Sequence, residues 1–197
     1  MSGTTRDKLL AAAEKLLIEE GVHALTVRRV GEVSGLNPTL ITYHFGSVSG
    51  LLQDLLQCNL VPMLQAWEWL SSDEAAEADV TTVLTRWLAP LQSPAAFHPT
   101  GRALIVLDEI AAHGNRALSE DLVVRMTGIG IRVTGVLAPH LPHLTREELR
   151  ERLRLIAGAA LGPPPRARLT APGDTAAAHE ESVRQLVRFA SAALSTA

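Results

Sequence analysis

Residues 26–45 read TVRRVGEVSGLNPTLITYHF, and this stretch predicts two short helices joined by a tight turn. Thr26 is a favourable N-cap for the first helix, and Gly35 can adopt the left-handed conformation that ends it. Asn37 is a favourable N-cap for the second helix, and Pro38 follows at the first helical position, where its missing N–H costs nothing. Two capped helices joined by a glycine-led turn indicate a helix-turn-helix.

The second helix has one apolar face and one face rich in hydroxyl groups. If Leu36, Ile41 and Phe45 face inward at helical spacing, the rest of the helix lies on or near the outer face, namely Pro38, Thr39, Leu40, Thr42, Tyr43 and His44. Hydroxyl and imidazole groups can bond phosphate oxygens or base edges, and Thr and Leu can contact a thymine methyl group. The pattern therefore favours a DNA-reading helix. The alternative is a pair of core helices in another kind of all-α protein.

Residues 5–55 resemble the N-terminal DNA-binding domain of the tetracycline-repressor (TetR) family of transcription regulators. The resemblance rests on several features in the right order: Gly21, Thr26, the Gly35 turn, Tyr43-His44-Phe45, Gly46-Ser47 and Leu51-Leu52. It implies phosphate contacts by Thr26, Tyr43 and His44, and base contacts by Pro38, Thr39, Leu40 and Thr42. Three positions depart from the family pattern: Thr42 replaces an aromatic residue, Val48 a phosphate-binding lysine and Gly31 an alanine.

Composition indicates a folded chain of one or two domains. Of the 197 residues, 47% are apolar, which is ample for a buried core. The longest aliphatic run, 103–107, is too short to span a bilayer, and residues 1–8 lack the apolar segment of a signal peptide. The single cysteine, Cys58, excludes an intramolecular disulfide and is expected to be a small buried apolar group. We therefore expect a soluble, cytoplasmic protein without a cofactor or metal.

The charge distribution lacks the basic footprint that is usual for nucleic-acid binding. Residues 1–50 carry five basic and five acidic side chains, and the whole chain has a net charge of −3. DNA binding must then depend on local placement of a few cations, Arg6, Lys8, Arg28 and Arg29, and on the positive ends of the motif helices.

The remainder of the chain predicts an all-α fold of about nine helices. The first helix covers 5–20, and a long helix from Val48 is expected to end or kink near Pro62. The pattern divides the chain into a three-helix DNA-binding domain at 1–46 and a helical effector-binding and dimerisation domain at 47–197. Residues 162–173, which contain three consecutive prolines, are expected to be mobile.

The last two predicted helices have apolar faces suited to an interface between two copies of the chain. The first begins with a capping box, Thr145 to Glu148, and runs to about Leu161; the second covers about 176–194. The TetR resemblance implies a homodimer in which these helices form a four-helix interface. The alternative is that both apolar faces only complete the core of the monomer.

The family also implies a ligand cavity in the second domain. Aromatic and apolar side chains would line it, with a few polar contacts; the candidates are Trp67, Trp87, Phe97, Leu104, Leu107, Asp108, His113 and Met126. The TetR resemblance therefore implies a repressor that binds a palindromic operator in double-stranded DNA and leaves it when a small, largely apolar effector binds.

Two alternatives come from other classes of protein. Glu109 and His113 lie at i and i+4 on one helix face and could share a metal in a helical enzyme or metal-binding protein. The chain has no phosphate-binding loop, nucleophile elbow or cysteine cluster, so it is not expected to be an enzyme. Val48 and the neutral N-terminal domain leave open a dimeric adaptor that has lost DNA binding.

Overall fold

The computed structural model describes residues 4–98, 100–162 and 176–196, with the side chains of 176–178 excepted. Within these ranges the chain forms ten α-helices and four short 3₁₀ helices. The α-helices are α1 (Thr5–Glu20), α2 (Val27–Ser34), α3 (Thr39–Phe45), α4 (Val48–Trp67), α5 (Asp73–Glu77), α6 (Val80–Leu88), α7 (Ala103–His113), α8 (Arg116–Leu137), α9 (Arg146–Leu161) and α10 (Ala176–Ser195). A single antiparallel bridge, Pro94 to Arg102, is the extent of β-structure there, so the all-α prediction is confirmed. The helix beyond the predicted nine is α5.

The first of two compact units runs to Val61 and resumes over Pro94–Val123. Its helix α1 packs on α2 and α7. Helical spacing places Leu9, Leu16 and Leu17 on one buried stripe of α1, against Val30 of α2 and other buried residues of the same unit. Burial of this stripe is the main stabilising contribution to the three-helix start of the chain.

Local capping chemistry fixes the ends of the motif helices. The Thr26 hydroxyl accepts a hydrogen bond from the Arg29 N–H at 3.1 Å, and Gly35 ends α2 with φ of 68°. Asn37 Oδ1 accepts from the Thr39 N–H at 3.0 Å. The helix-turn-helix is therefore formed as predicted, although α3 begins at Thr39, one residue later than expected.

The second unit comprises Pro62–Ser93 and the chain from Val124 onward. Helix α10 packs on α6 and α9. The indole N–H of Trp67 is buried and donates to the Trp87 carbonyl at 2.9 Å. Helix α9 begins at the predicted capping box, in which the Thr145 hydroxyl and the Glu148 carboxylate each accept from the other's backbone N–H.

The prediction that Pro62 ends or kinks the long helix near Val61 was wrong about its end, because α4 continues through Pro62 to Trp67. An interior proline costs about 3 kcal/mol through the lost hydrogen bond and ring crowding. The turn beyond it buries Met63 and Trp67 almost completely, and each such side chain contributes about 1.5–3 kcal/mol. Burial outweighs the local cost.

Residues Arg116–His140 are long and apolar enough to cross a bilayer by length and composition alone. In the second unit, however, Ile129, Val133 and Leu137 of α8 are fully packed in a protein core. The predicted mobile segment after Gly162 lies outside the described residues.

Candidate nucleic-acid interface and effector pocket

Helix α3 presents its predicted outer face to solvent. Ile41 is completely buried, whereas Pro38, Thr39, Thr42 and Tyr43 are exposed, and Leu40 and His44 are half-buried. Tyr43 is 81% exposed, whereas tyrosine side chains in folded proteins are usually partly buried. The six predicted side chains therefore surround a buried apolar anchor that holds the helix to its domain.

The end of α3 carries an aromatic cluster. The Tyr43 and His44 rings meet edge to face with centroids 5.0 Å apart, and the His44 and Phe45 centroids are 6.2 Å apart. The Arg6 guanidinium lies 5.4 Å from the centre of the Phe45 ring. These contacts restrict the rotamers of the phenol and imidazole, so that both polar groups are held ready for an external partner.

Helix α2 contributes Thr26 and Arg28, and both are exposed. The Thr26 oxygen is occupied as the N-cap acceptor, but its O–H proton remains able to donate to a phosphate oxygen. Arg28 projects from the first turn of α2, where its Nε is bonded to Glu32 Oε1 at 2.8 Å.

Gly31 occupies the closest approach of α2 to α3. A Cβ at position 31 would lie 2.6 Å from Cγ of Pro38 and 3.2 Å from the Leu36 carbonyl oxygen. The Pro38 ring thus fills the space that a side chain at position 31 would occupy, and position 31 is the glycine that departs from the family pattern. Sequence reasoning noted Gly31 and Pro38 separately and missed their contact, since their spacing alone gives no sign of it.

A pocket of about 870 Å³ lies within the second unit. Its apolar lining includes Trp87, Leu91, Ile129, Leu153 and Ala157, and charged residues of the first turns of α9 stand around it, namely Glu147, Glu148, Arg150, Glu151, Arg152 and Arg154. Pockets of about 300–1,000 Å³ with mostly apolar walls are typical small-molecule sites.

The pocket includes two of the eight candidate effector residues, Trp87 and Met126. Trp67 is buried in the same unit but is not a lining residue, and its indole N–H bonds the carbonyl of the lining residue Trp87. The other five candidates are not among the lining residues and lie in the first unit: Phe97, Leu104, Leu107, Asp108 and His113. No sequence signal distinguishes the lining residues Leu91, Ile129 and Leu153 from any other core aliphatic residue.

Glu109 and His113 each contact another part of the first unit. Glu109 Oε1 accepts from the Val22 N–H at 3.0 Å, and the His113 ring packs against His23 with centroids 5.6 Å apart. Across the described ranges, no group of three or more His, Cys, Asp or Glu side chains is arranged to hold a metal ion. Cys58 is half-buried, and burial raises the pKa of its thiol, which disfavours a reactive thiolate.

Comparison with known proteins agrees with this geometry. Residues 9–55 match the family model of the bacterial regulatory proteins of the tetR family. No curated protein sequence matches the chain.

Solved structures are similar over nearly the whole length. A probable transcriptional regulatory protein, RHA5900, has a TM-score of 0.73 at 20% identity, covering 98% of this chain and 100% of that one. PfmR, a TetR-family regulator from Thermus thermophilus, has a TM-score of 0.66 at 15% identity, covering 94% and 96%. NalD, the secondary repressor of the MexAB-OprM multidrug efflux pump in Pseudomonas aeruginosa, has a TM-score of 0.61 at 18% identity, covering 93% and 94%.

At these identities the structural similarity establishes the fold, and the family match covers the helix-turn-helix segment at residues 9–55. The described part of the chain therefore has the fold of the solved transcriptional regulators, with a segment at its start that matches the tetR family model.

Proposed function

We propose that the protein is a cytoplasmic, homodimeric repressor that binds a palindromic operator and is released by a small, largely apolar effector. The observation that carries the proposal is the outward face of α3, where Thr39, Thr42 and Tyr43 are exposed around the buried anchor Ile41. In a dimer, two copies of α3 would enter successive major grooves, with half-sites about 34–36 Å apart.

Each polar group on this face has a chemical task in that complex. Thr26, Tyr43 and His44 would bind phosphate oxygens, which fixes the register of the protein on the duplex. Thr39 and Leu40 would contact base edges and thymine methyl groups, which distinguishes one sequence from another.

Exposed apolar side chains on the last two helices support the dimer. Leu155 of α9 is 57% exposed and Phe189 of α10 is 52% exposed, and both lie in the second unit. Helices α9 and α10 pack on each other, and exposed apolar groups that form a patch mark association sites more often than isolated ones do. A second copy of α9 and α10 would cover them in a four-helix arrangement.

The pocket of the second unit supports a small, largely apolar effector. Trp87 and Met126 would supply broad contact surfaces, and Thr127 and Thr134 the hydroxyl groups near them. To release DNA, the effector must bind more tightly to a shape of the dimer that does not fit the operator than to the shape that does.

DNA binding is tested by mobility shift with the purified full chain and a duplex from the region beside its own gene. We expect a complex that is lost when either half of the palindrome is scrambled. A Leu155→Glu, Phe189→Glu double variant should be monomeric by light scattering and bind the operator far more weakly. Val33→Glu, a change of an exposed apolar residue outside α9 and α10, should keep the dimeric mass. A monomeric wild-type chain would contradict the dimer.

The pocket is tested with the apolar fluorescent dye anilinonaphthalene sulfonate. Met126→Trp fills space inside the pocket and should weaken dye binding about tenfold or more, because it removes room for the dye. Val124→Trp adds the same ring to an exposed position of α8 outside the lining and is the matched control. Equal effects of the two variants would exclude this pocket as the dye site.

One observation favours the second candidate, a dimeric adaptor without DNA binding. Arg6, Arg28 and Arg29 are all ion-paired, to Asp54, Glu32 and Glu20 in turn, which reduces the free positive charge of the motif. Absence of a shift with every duplex at low salt would support the adaptor and contradict the repressor.

A further inference from the structure

Two arginines of α2 are held by a pair of carboxylates. Arg28 Nε lies 2.8 Å from Glu32 Oε1, and Arg29 Nη1 lies 3.2 Å from Glu32 Oε2. Arg29 Nη2 also lies 2.7 Å from Glu20 Oε1. Each oxygen of Glu32 thus holds a different arginine, while Glu20, the last residue of α1, fixes the second of them from a separate helix.

The charge states of these groups reinforce one another. Hydrogen bonds from Arg28 and then Arg29 lower the pKa of Glu32 below its usual range, and bonds to Glu32 and then Glu20 raise the pKa of Arg29. Both shifts favour the charged forms of Glu32 and Arg29. We call Arg28, Arg29, Glu20 and Glu32 the α2 ion network.

The network has little to do with folding. Its side chains are 43–88% exposed, and ion pairs this exposed contribute little to stability. The same geometry matters more for an external anion, because a carboxylate and a phosphate present similar oxygen pairs to a guanidinium group. Arg29 has Nη1 and Nη2 both bonded and must leave a carboxylate before it can bind a phosphate with that pair, whereas Arg28 is held through Nε and must leave Glu32 to use its Nε.

We propose that Glu20 and Glu32 act as internal competitors of DNA phosphates, restraining Arg28 and Arg29 and so setting a low affinity for DNA of arbitrary sequence. This inference rests on the proposed DNA-binding function. Sequence-independent binding is dominated by contacts between cations and phosphates and by the counterions that they release. A protein whose motif arginines are already paired gains less binding free energy from the phosphates of any duplex. The rest of its affinity must come from the base contacts of α3.

The test uses fluorescence anisotropy with the full-length protein and a labelled duplex of arbitrary sequence, at about 50 mM and about 200 mM salt. Glu32→Gln keeps the size of the side chain and removes its charge. It weakens both of its arginine contacts, so we expect up to about fivefold tighter binding at low salt. The slope of log K against log salt should steepen by roughly one unit per arginine freed.

Three further variants distinguish the release of the arginines from a simple change of net charge. Glu20→Gln frees only one contact, to Arg29, and should give a smaller gain than Glu32→Gln. Glu19→Gln makes the same change of net charge beside the network, at a residue that lies 3.9 Å from His98 Nε2, and should change the affinity less than about twofold. In a background with Arg28→Ala and Arg29→Ala, the gain from Glu32→Gln should disappear.

Each outcome decides between the alternatives. Equal gains from Glu32→Gln and Glu19→Gln, or a gain that persists without the two arginines, would overturn the restraint. If neither the wild type nor Glu32→Gln bound any duplex, the proposed DNA-binding function would fail and this inference with it. Operator binding by the wild type with no effect of Glu32→Gln would refute the restraint alone.

Discussion

Replacing Glu14 should destabilise the first unit more than any change to a surface carboxylate. Glu14 is completely buried in α1 and both of its oxygens face N–H donors. Its Oε1 accepts from Asn59 Nδ2 at 2.8 Å, and its Oε2 accepts from the backbone N–H groups of Phe97 and His98, each at 2.6 Å. One side chain therefore ties α1 to α4 and to the segment before α7.

The magnitude follows from the number of donors left without an acceptor. Glu14→Leu would strand two backbone N–H groups and one amide, and each buried unsatisfied group costs about 1–3 kcal/mol. We expect a loss of about 3–9 kcal/mol, a large part of the roughly 5–15 kcal/mol that stabilises a typical domain. For a chain of this size that corresponds to a fall in Tm of roughly 6–36 °C.

Glu14→Gln is the sharper variant because it keeps the volume. Its single oxygen can serve the two backbone donors, but its NH₂ group then faces the NH₂ group of Asn59. Asn59 cannot turn over without loss, since its Oδ1 accepts from the Ala96 N–H at 3.1 Å and its Nδ2 also donates to the Leu55 carbonyl at 3.0 Å. We expect Glu14→Gln to cost about 1–3 kcal/mol.

The assay is urea and thermal unfolding followed by circular dichroism, with Glu19→Gln as the matched control. Glu19 is exposed, so that variant should stay within about 0.5 kcal/mol of the wild type. A Glu14→Gln protein as stable as Glu19→Gln would show that the buried hydrogen bonds do not hold this segment. That result would refute the claim that buried donors left without an acceptor lower the stability of this unit.

Three further outcomes are expected. Gly31→Ala should lower stability by about 1–2 kcal/mol in urea unfolding, because its Cβ meets the Pro38 ring, and Pro38→Ala should restore most of it. Tyr43→Phe should leave Tm unchanged and weaken binding to all duplexes in anisotropy titrations, with the salt slope unchanged because the neutral phenol displaces no counterion. Hydrogen bonds from Thr145 lower the pKa of Glu148, so their stabilisation is present above the usual glutamate pKa and is lost as pH falls through the lowered value. Thr145→Val removes the hydroxyl bond and keeps the backbone one, so it should reduce this acid-side loss in a stability–pH profile.

The helix ends that sequence reasoning placed correctly are those governed by local chemistry. Helix α1 covers Thr5–Glu20, α2 begins directly after the Thr26 cap, and α9 covers Arg146–Leu161, as expected from their capping residues. Helix α5 was missed because it has only five residues and buries one of them, Ala75, so it has no periodic pattern to detect. Local signals fail where a segment is short or where distant packing decides, as at Pro62.

The same distinction separates the two parts of the candidate site. The outer face of α3 could be predicted because it follows from the period of one helix and one buried residue, Ile41. The pocket could not, because its walls come from α6, α8 and α9, and nothing local marks Leu91 or Leu153 as lining residues. Glu14 was equally hidden, since its partners lie 45, 83 and 84 residues away along the chain.

The α2 ion network shows how some of the balanced charges of residues 1–50 are arranged in space. Equal numbers of acidic and basic residues do not by themselves decide whether a positive face exists, because the charges could be segregated. In α2 they are not segregated: Glu32 stands between the two arginines and holds both. Long-range attraction to phosphates is then weak, and a tight complex requires the short-range contacts of α3. Under the proposed function, replacing Thr39 or Leu40 should therefore lower operator affinity more than raising the salt concentration does.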